Sequence, residues 1–115
     1  MTGLPDEGSR VVRAQADWTT AAPLALSRSF VDDPRGYRTL LSKIEPGPFG
    51  DVHAHNELEQ IYVIEGDFFD DEGSYGAGDF VVRAPGALHR TGSRNGATIL
   101  LIYSPLATPR LCSTG

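Results

Sequence analysis

The chain has 115 residues, 40% hydrophobic and 22% charged, an ordinary globular balance with enough length for one core. Its formal net charge of −5, from 10 basic and 15 acidic residues, argues against nucleic acid or an anionic membrane as partner, since both require a positive patch. A single Cys excludes a disulfide framework and a Cys-based zinc finger, leaving three His and fifteen carboxylates for any chemistry.

In chain order, residues 1–16 read as a polar N-terminal arm, with a short strand or extended segment at 11–15. No apolar block in residues 1–13 fits a signal peptide, and no stretch approaches the ~18–20 apolar residues that span a bilayer. A cytoplasmic protein is therefore expected. A short helix fits within 14–26, although Pro23 argues against a long one. Strands rich in Val, Ile, Tyr and Phe follow at 24–31, 37–44, 51–55, 59–69, 75–84 and 97–104. Turn signals separate them at 32–36, 45–50, 70–74 and 85–93, drawing on 13 Gly and 8 Pro. This pattern predicts an all-β sandwich or barrel in a single domain, 1–115, ending in a tail at 105–115. Arg10, Arg13, Arg28, Arg35, Arg38, Arg83 and Arg90 are scattered and form no basic stripe.

The three histidines belong to one region of the sequence. His53 and His55 alternate, and residues two apart in a strand face the same side. Glu59 follows four residues after His55, at the head of the next apolar strand. His89 comes after a Pro-Gly turn, where a strand can return beside the first pair. Three imidazoles and a carboxylate suit one divalent zinc, iron, manganese, nickel or copper ion with positions left for water or substrate. Glu59 is also the one candidate for a catalytic group.

The spacing extends beyond the ligands. Gly47-x5-His53-x-His55-x3-Glu59-x6-Gly66 resembles the first motif of the cupin superfamily, and Gly78-x5-Ala84-Pro85-Gly86-x2-His89 resembles the second. Ala84 stands where the usual pattern has Pro, and Ser93 where it has Asn; both departures concern turns rather than ligands. The stretch from His53 to His89, with the segment around Trp18, is similar to the cupin-like domain of ChrR-type anti-sigma factors and their stand-alone relatives, over roughly residues 15–104. The resemblance implies a double-stranded β-helix, a jelly-roll-type barrel, with a metal near its open end and frequently a homodimer. About 16 residues precede the similar region, fewer than a sigma-binding domain needs, so sigma-factor sequestration is not expected.

Other residues read more plainly. Glu57 shares the parity of His53 and Glu59 but falls in a turn and is expected to be solvated. Asp67, Asp70, Asp71 and Glu72 lack a calcium-loop pattern and are expected at a solvated hairpin tip. Cys112 is expected to be a bystander thiol, and Phe49, Tyr62, Arg83, Arg90 and Tyr103 are candidates for the cavity wall. The functional expectation is a metal-dependent dioxygenase acting on a small diketone or hydroxy-ketone. The alternative is a non-catalytic metal- or small-ligand-binding sensory domain. A small barrel has room for one small ligand, and its exposed edge strands predict a homodimer.

Overall fold

The computed structural model describes residues 3–13, 18–22, 24–53, 56–86 and 89–106, with the side chains of 21, 22, 49–53 and 89 outside the description. Nine strands are present: β1 (Thr19–Ala22), β2 (Ala25–Asp32), β3 (Arg38–Ile44), β4 (Gly47–His53), β5 (Leu58–Asp70), β6 (Ser74–Gly76), β7 (Phe80–Arg83), β8 (His89–Ser93) and β9 (Ala97–Ser104). All pairings are antiparallel, in the order β1-β2-β3-β9-β5-β8-β4, with β6 and β7 also on β5. The described residues contain no helix, so the short helix allowed within 14–26 gives way to β1 and the start of β2. Residues 14–17 and most of the 105–115 tail, Cys112 included, lie outside the described residues.

Three local expectations are corrected. Residues 45–50 carry Pro46, Gly47, Pro48 and Gly50 and read as a turn, yet β4 begins at Gly47. Among the described residues β4 pairs only with β8, and an edge strand tolerates a proline because one side of its ladder needs no donor. The 85–93 segment likewise contains β8. The single strand expected at 75–84 is divided into β6 and β7 by a turn at Gly78, whose φ of +92° suits glycine.

β5 is the strand that joins the two halves of the curled sheet. Its first part pairs with β9 and β7, and its last part with β6 and β8. Glu59, Ile61 and Val63 alternate into the interior, while Tyr62 and Ile64 are exposed. A register shift between Val63 and Glu65 then inserts one residue, which reverses the parity and turns Phe68 inward. Immediately after it, Gly66 has a φ of +82°; a Cβ there would fall 2.7 Å from the Ala97 Cα and closer still to the Gly96 carbonyl oxygen. The core comprises Ile44, Ile61, Val63, Phe68, Ala97 and Ile99, backed by Tyr75, Val81 and Leu101. Each large side chain fully buried there contributes about 1.5–3 kcal/mol.

Candidate metal centre at one end of the barrel

The strand registers sort the inner face into layers. Arg38 on β3 pairs with Tyr103 on β9, Tyr103 with Glu59 on β5, and Glu59 with Arg83 on β7. The next inward positions are Leu40, Leu101, Ile61 and Val81, all apolar. One polar row thus crosses four strands at one end of the barrel, above an apolar floor.

Glu59 is 4% exposed and sits in the middle of this row. Its Oε2 accepts the Tyr103 hydroxyl at 3.0 Å, and its Oε1 accepts Arg83 Nη1 at 3.3 Å. Burying a carboxylate is costly unless donors meet it, and these are two such donors. Burial pushes the Tyr103 hydroxyl well above its ordinary pKa, and the Glu59 charge and hydrogen bond add to the effect. Tyr103 therefore remains a proton donor to Glu59 at neutral pH.

Arg83 carries the row further. Its Nη2 donates to Asp70 Oδ2 at 2.7 Å, and its guanidinium lies 5.3 Å from the Phe68 ring centroid. Asp70 also accepts the Tyr75 hydroxyl at 2.9 Å and the backbone amides of Glu72 and Gly73 at 2.8 and 3.1 Å. Burial raises the Asp70 pKa, but the Arg83, Glu72 and Tyr75 donors outweigh it and hold the carboxyl below its ordinary value. Burial and the Asp70 bond push Tyr75 up to about 12.

The acidic run is thus only partly the solvated tip expected of it. Asp71 and Glu72 are exposed, but the Asp70 side chain is 4% exposed. Asp67 caps the β8–β9 turn by accepting the Arg94 amide and the Asn95 side chain, each at 2.7 Å, and these donors lower its pKa. Ser93, the departure from the second motif, donates to the Asp67 carbonyl at 2.6 Å and accepts the Gly96 amide at 2.7 Å within that turn.

A cavity of about 70 Å³ lies against Glu59, lined also by Ile61, Phe68, Arg83, Thr91, Ile99, Leu101 and Tyr103. Of the five wall candidates, Arg83 and Tyr103 line it, Tyr62 is 40% exposed and Arg90 is exposed; the Phe49 side chain lies outside the described set. Phe68 and Thr91 line this cavity and were not singled out by the sequence, and Asp70, read there as part of a solvated tip, joins the region through Arg83. Glu57, expected to be solvated, is half-buried and lies 3.8 Å from Arg38 Nη2. A wider groove of about 460 Å³ opens at the other end, between Ile44, Glu45, Pro46, Glu65 and Asn95, and holds none of the candidate ligands.

Of the four candidate ligands, Glu59 is described in full and His53 and His89 by backbone; His55 and the imidazoles of His53 and His89 lie outside the described residues. The β4–β8 register sets His53 directly opposite His89, and directly opposed positions share one face of an antiparallel ladder. His89 is two residues from Thr91, which lines the cavity beside Glu59. No three described His, Cys, Asp or Glu side chains converge on a point. Among the described residues the site thus offers one buried carboxylate, Glu59, against a small cavity, an oxygen donor of the kind a divalent ion takes.

Comparison with solved structures gives the same architecture. Chains similar in fold include the anti-sigma ChrR in complex with SigE from Rhodobacter sphaeroides (TM-score 0.68, 20% identity, 79% of this chain and 51% of that one). An RmlC-like cupin from Ralstonia eutropha JMP134 aligns with TM-score 0.74 and 19% identity, over 86% of this chain and 69% of that one. An RmlC-like cupin from Shewanella frigidimarina NCIMB 400 aligns with TM-score 0.73 and 20% identity, over 87% and 93%. This chain therefore spans about half the length of the chain matched in the SigE complex. No curated protein sequence matches it. The family model of the ChrR Cupin-like domain matches residues 7–107. With its motifs, its curled antiparallel sheet and that match in agreement, the chain belongs to the ChrR cupin-like domain family.

Proposed function

We propose that the protein binds one divalent metal ion through His53, His55, Glu59 and His89, and that it is a dioxygenase-type oxidoreductase acting on a small diketone or hydroxy-ketone. The observation that carries this reading is the buried Glu59, fixed by Tyr103 and Arg83 against a cavity and near the paired positions of His53 and His89. When bound, an iron-type ion with open positions supplies a meeting point for a chelating substrate and dioxygen. The chain's own contribution is positional. Tyr103 and Arg83 hold the carboxylate in place, and the apolar layer of Ile61, Ile99 and Leu101 keeps water from the cavity floor. A cavity of about 70 Å³ is small, which suits a small ligand or one end of a larger one.

The test is oxygen uptake. Protein loaded anaerobically with Fe(II) and given acetylacetone should consume dioxygen, and His53→Ala should lose both the bound iron and the uptake. Uptake no greater than that of the variant would refute the enzyme reading.

The second reading, a sensory metal-binding domain without catalysis, is favoured by the likeness to the anti-sigma ChrR seen with SigE. Elemental analysis of protein purified without added metal separates the two: iron or manganese supports catalysis, and tightly held zinc supports sensing. We also infer a homodimer. Its support is the exposed apolar set Tyr62, Ile64, Phe80 and Val82 on the outer face, beside β7, which pairs only with β5 among the described residues.

A further inference from the structure

Arg38 begins β3 at the same end of the barrel as Glu59, in the same polar row, with Tyr103 between them. Its guanidinium lies 4.2 Å from the centroid of the Tyr103 ring, the ring whose hydroxyl holds Glu59. Stacking of this kind fixes the plane of the guanidinium and leaves its donor edge available for a carboxylate. Among the described residues that edge is little used: the one carboxylate oxygen within 4.0 Å, Glu57 Oε2, is 3.8 Å from Nη2, too long for a hydrogen bond. Arg83 in the same row is different. It is 8% exposed and already held by Glu59 and Asp70, whereas the Arg38 side chain is 35% exposed.

Charge adds a second argument. The ion-paired groups of the row comprise three carboxylates, Glu57, Glu59 and Asp70, and two guanidiniums, Arg38 and Arg83, leaving one negative charge. A divalent ion on Glu59 reverses the sign and leaves one positive charge. Asp32 lies opposite Arg38 in the register, exposed and outside this ion-paired set. With Asp32 counted, the ion brings the local sum from −2 to zero, which removes the repulsion that an anion would otherwise meet at this end of a protein of net charge −5. Arg38 and Glu59 stand two strand spacings apart, a backbone separation of about 10 Å. A ligand of three to five carbons can bridge that gap.

We propose that Arg38 anchors the carboxylate of a small 2-oxo or 2-hydroxy acid, displacing Glu57, while the other end of the ligand reaches the metal. The inference rests on the metal reading above and adds small acids to the neutral ketones proposed there. Arg38 acts as a specificity residue: the guanidinium pairs with the carboxylate through two parallel hydrogen bonds, which neutral ketones cannot form.

The test uses the full chain loaded with one equivalent of Zn(II), which avoids turnover, titrated calorimetrically with pyruvate and separately with acetylacetone. Wild-type protein should bind pyruvate, and Arg38→Ala should bind it at least tenfold more weakly while retaining one zinc per chain. Acetylacetone affinity should be the same in both. Arg38→Lys, which keeps the charge but not the fork, should fall between them for pyruvate. Pyruvate binding equal in Arg38→Ala and wild type overturns the proposal, as does the absence of pyruvate binding to zinc-loaded wild type. A wild-type chain that takes up no zinc overturns the metal reading itself, and this proposal with it.

Discussion

Arg83 touches two carboxylates at opposite ends of β5, Glu59 and Asp70. Replacing it with Met keeps much of the volume but removes the charge that both carboxylates face. Breaking a buried ion pair from one side costs about 3–5 kcal/mol. The Tyr103 and Tyr75 hydroxyls remain on the two acids and moderate the loss, so Arg83→Met should lower unfolding free energy by about 3 kcal/mol, measured by urea titration. A loss below about 1 kcal/mol would mean the pair is solvated in solution. The same residues mark how far a sequence can be read. Glu59 could be singled out as a candidate because its spacing from His53 and His55 is local and its motif specific, and the structure buries it against a cavity. Asp70 was not, because an acidic run at a hairpin tip looks solvated until Arg83, thirteen residues later in the chain, is folded against it.

At the scale of elements, β5 was expected at 59–69 and is found at Leu58–Asp70, since a long run rich in Ile, Tyr, Val and Phe leaves little ambiguity. The start of β4 at Gly47 was hidden behind a strand expected only from 51, and β8 was foreseen only as a strand that could return at His89, because Gly and Pro signal turns locally and only pairing across the sheet makes such segments strands. The parity reversal in β5 was equally invisible, as it depends on how β9 lies alongside. Two glycines test the distinction between backbone strain and steric conflict. Gly66 and Gly78 both have positive φ, +82° and +92°, but only Gly66 has backbone of Gly96 and Ala97 in the space of a Cβ. Gly78 has no atom within 4 Å of that position. Gly78→Ala should therefore cost about 1 kcal/mol from strain alone. Gly66→Ala adds a clash that must displace β9, and should cost about 3 kcal/mol or more. Comparable losses in the two variants, measured by thermal unfolding, would contradict the close approach of β5 and β9 described here.

At the scale of the molecule, the inner face is a conventional core, but the outer face of the same sheet is unusually apolar. Tyr62 and Phe80 pair across β5 and β7 with ring centroids 6.2 Å apart, and Phe80 and Val82 are 52% and 60% exposed. Contiguous exposed apolar side chains of this kind mark association surfaces. Light scattering at micromolar concentration should give a dimer mass for the wild type, and Phe80→Ser with Val82→Ser should shift it to the monomer with the circular dichroism unchanged. A monomeric wild type would remove the homodimer. The all-β class was legible at this scale, but six strands were expected where nine are described, and the strand order was not legible, since most pairings join strands distant in sequence.

That order has a consequence for synthesis. β9 is the last of the described strands, yet it lies in the middle of the sheet, between β3 and β5. During translation β3 and β5 emerge long before the strand that separates them, and each presents an unpaired backbone edge until residue 104 has cleared the ribosome. Such edges attract other strands. The nascent chain therefore has a vulnerable interval built into its topology, closed by a single late event in which β9 inserts, completes two ladders at once and brings Tyr103 to Glu59.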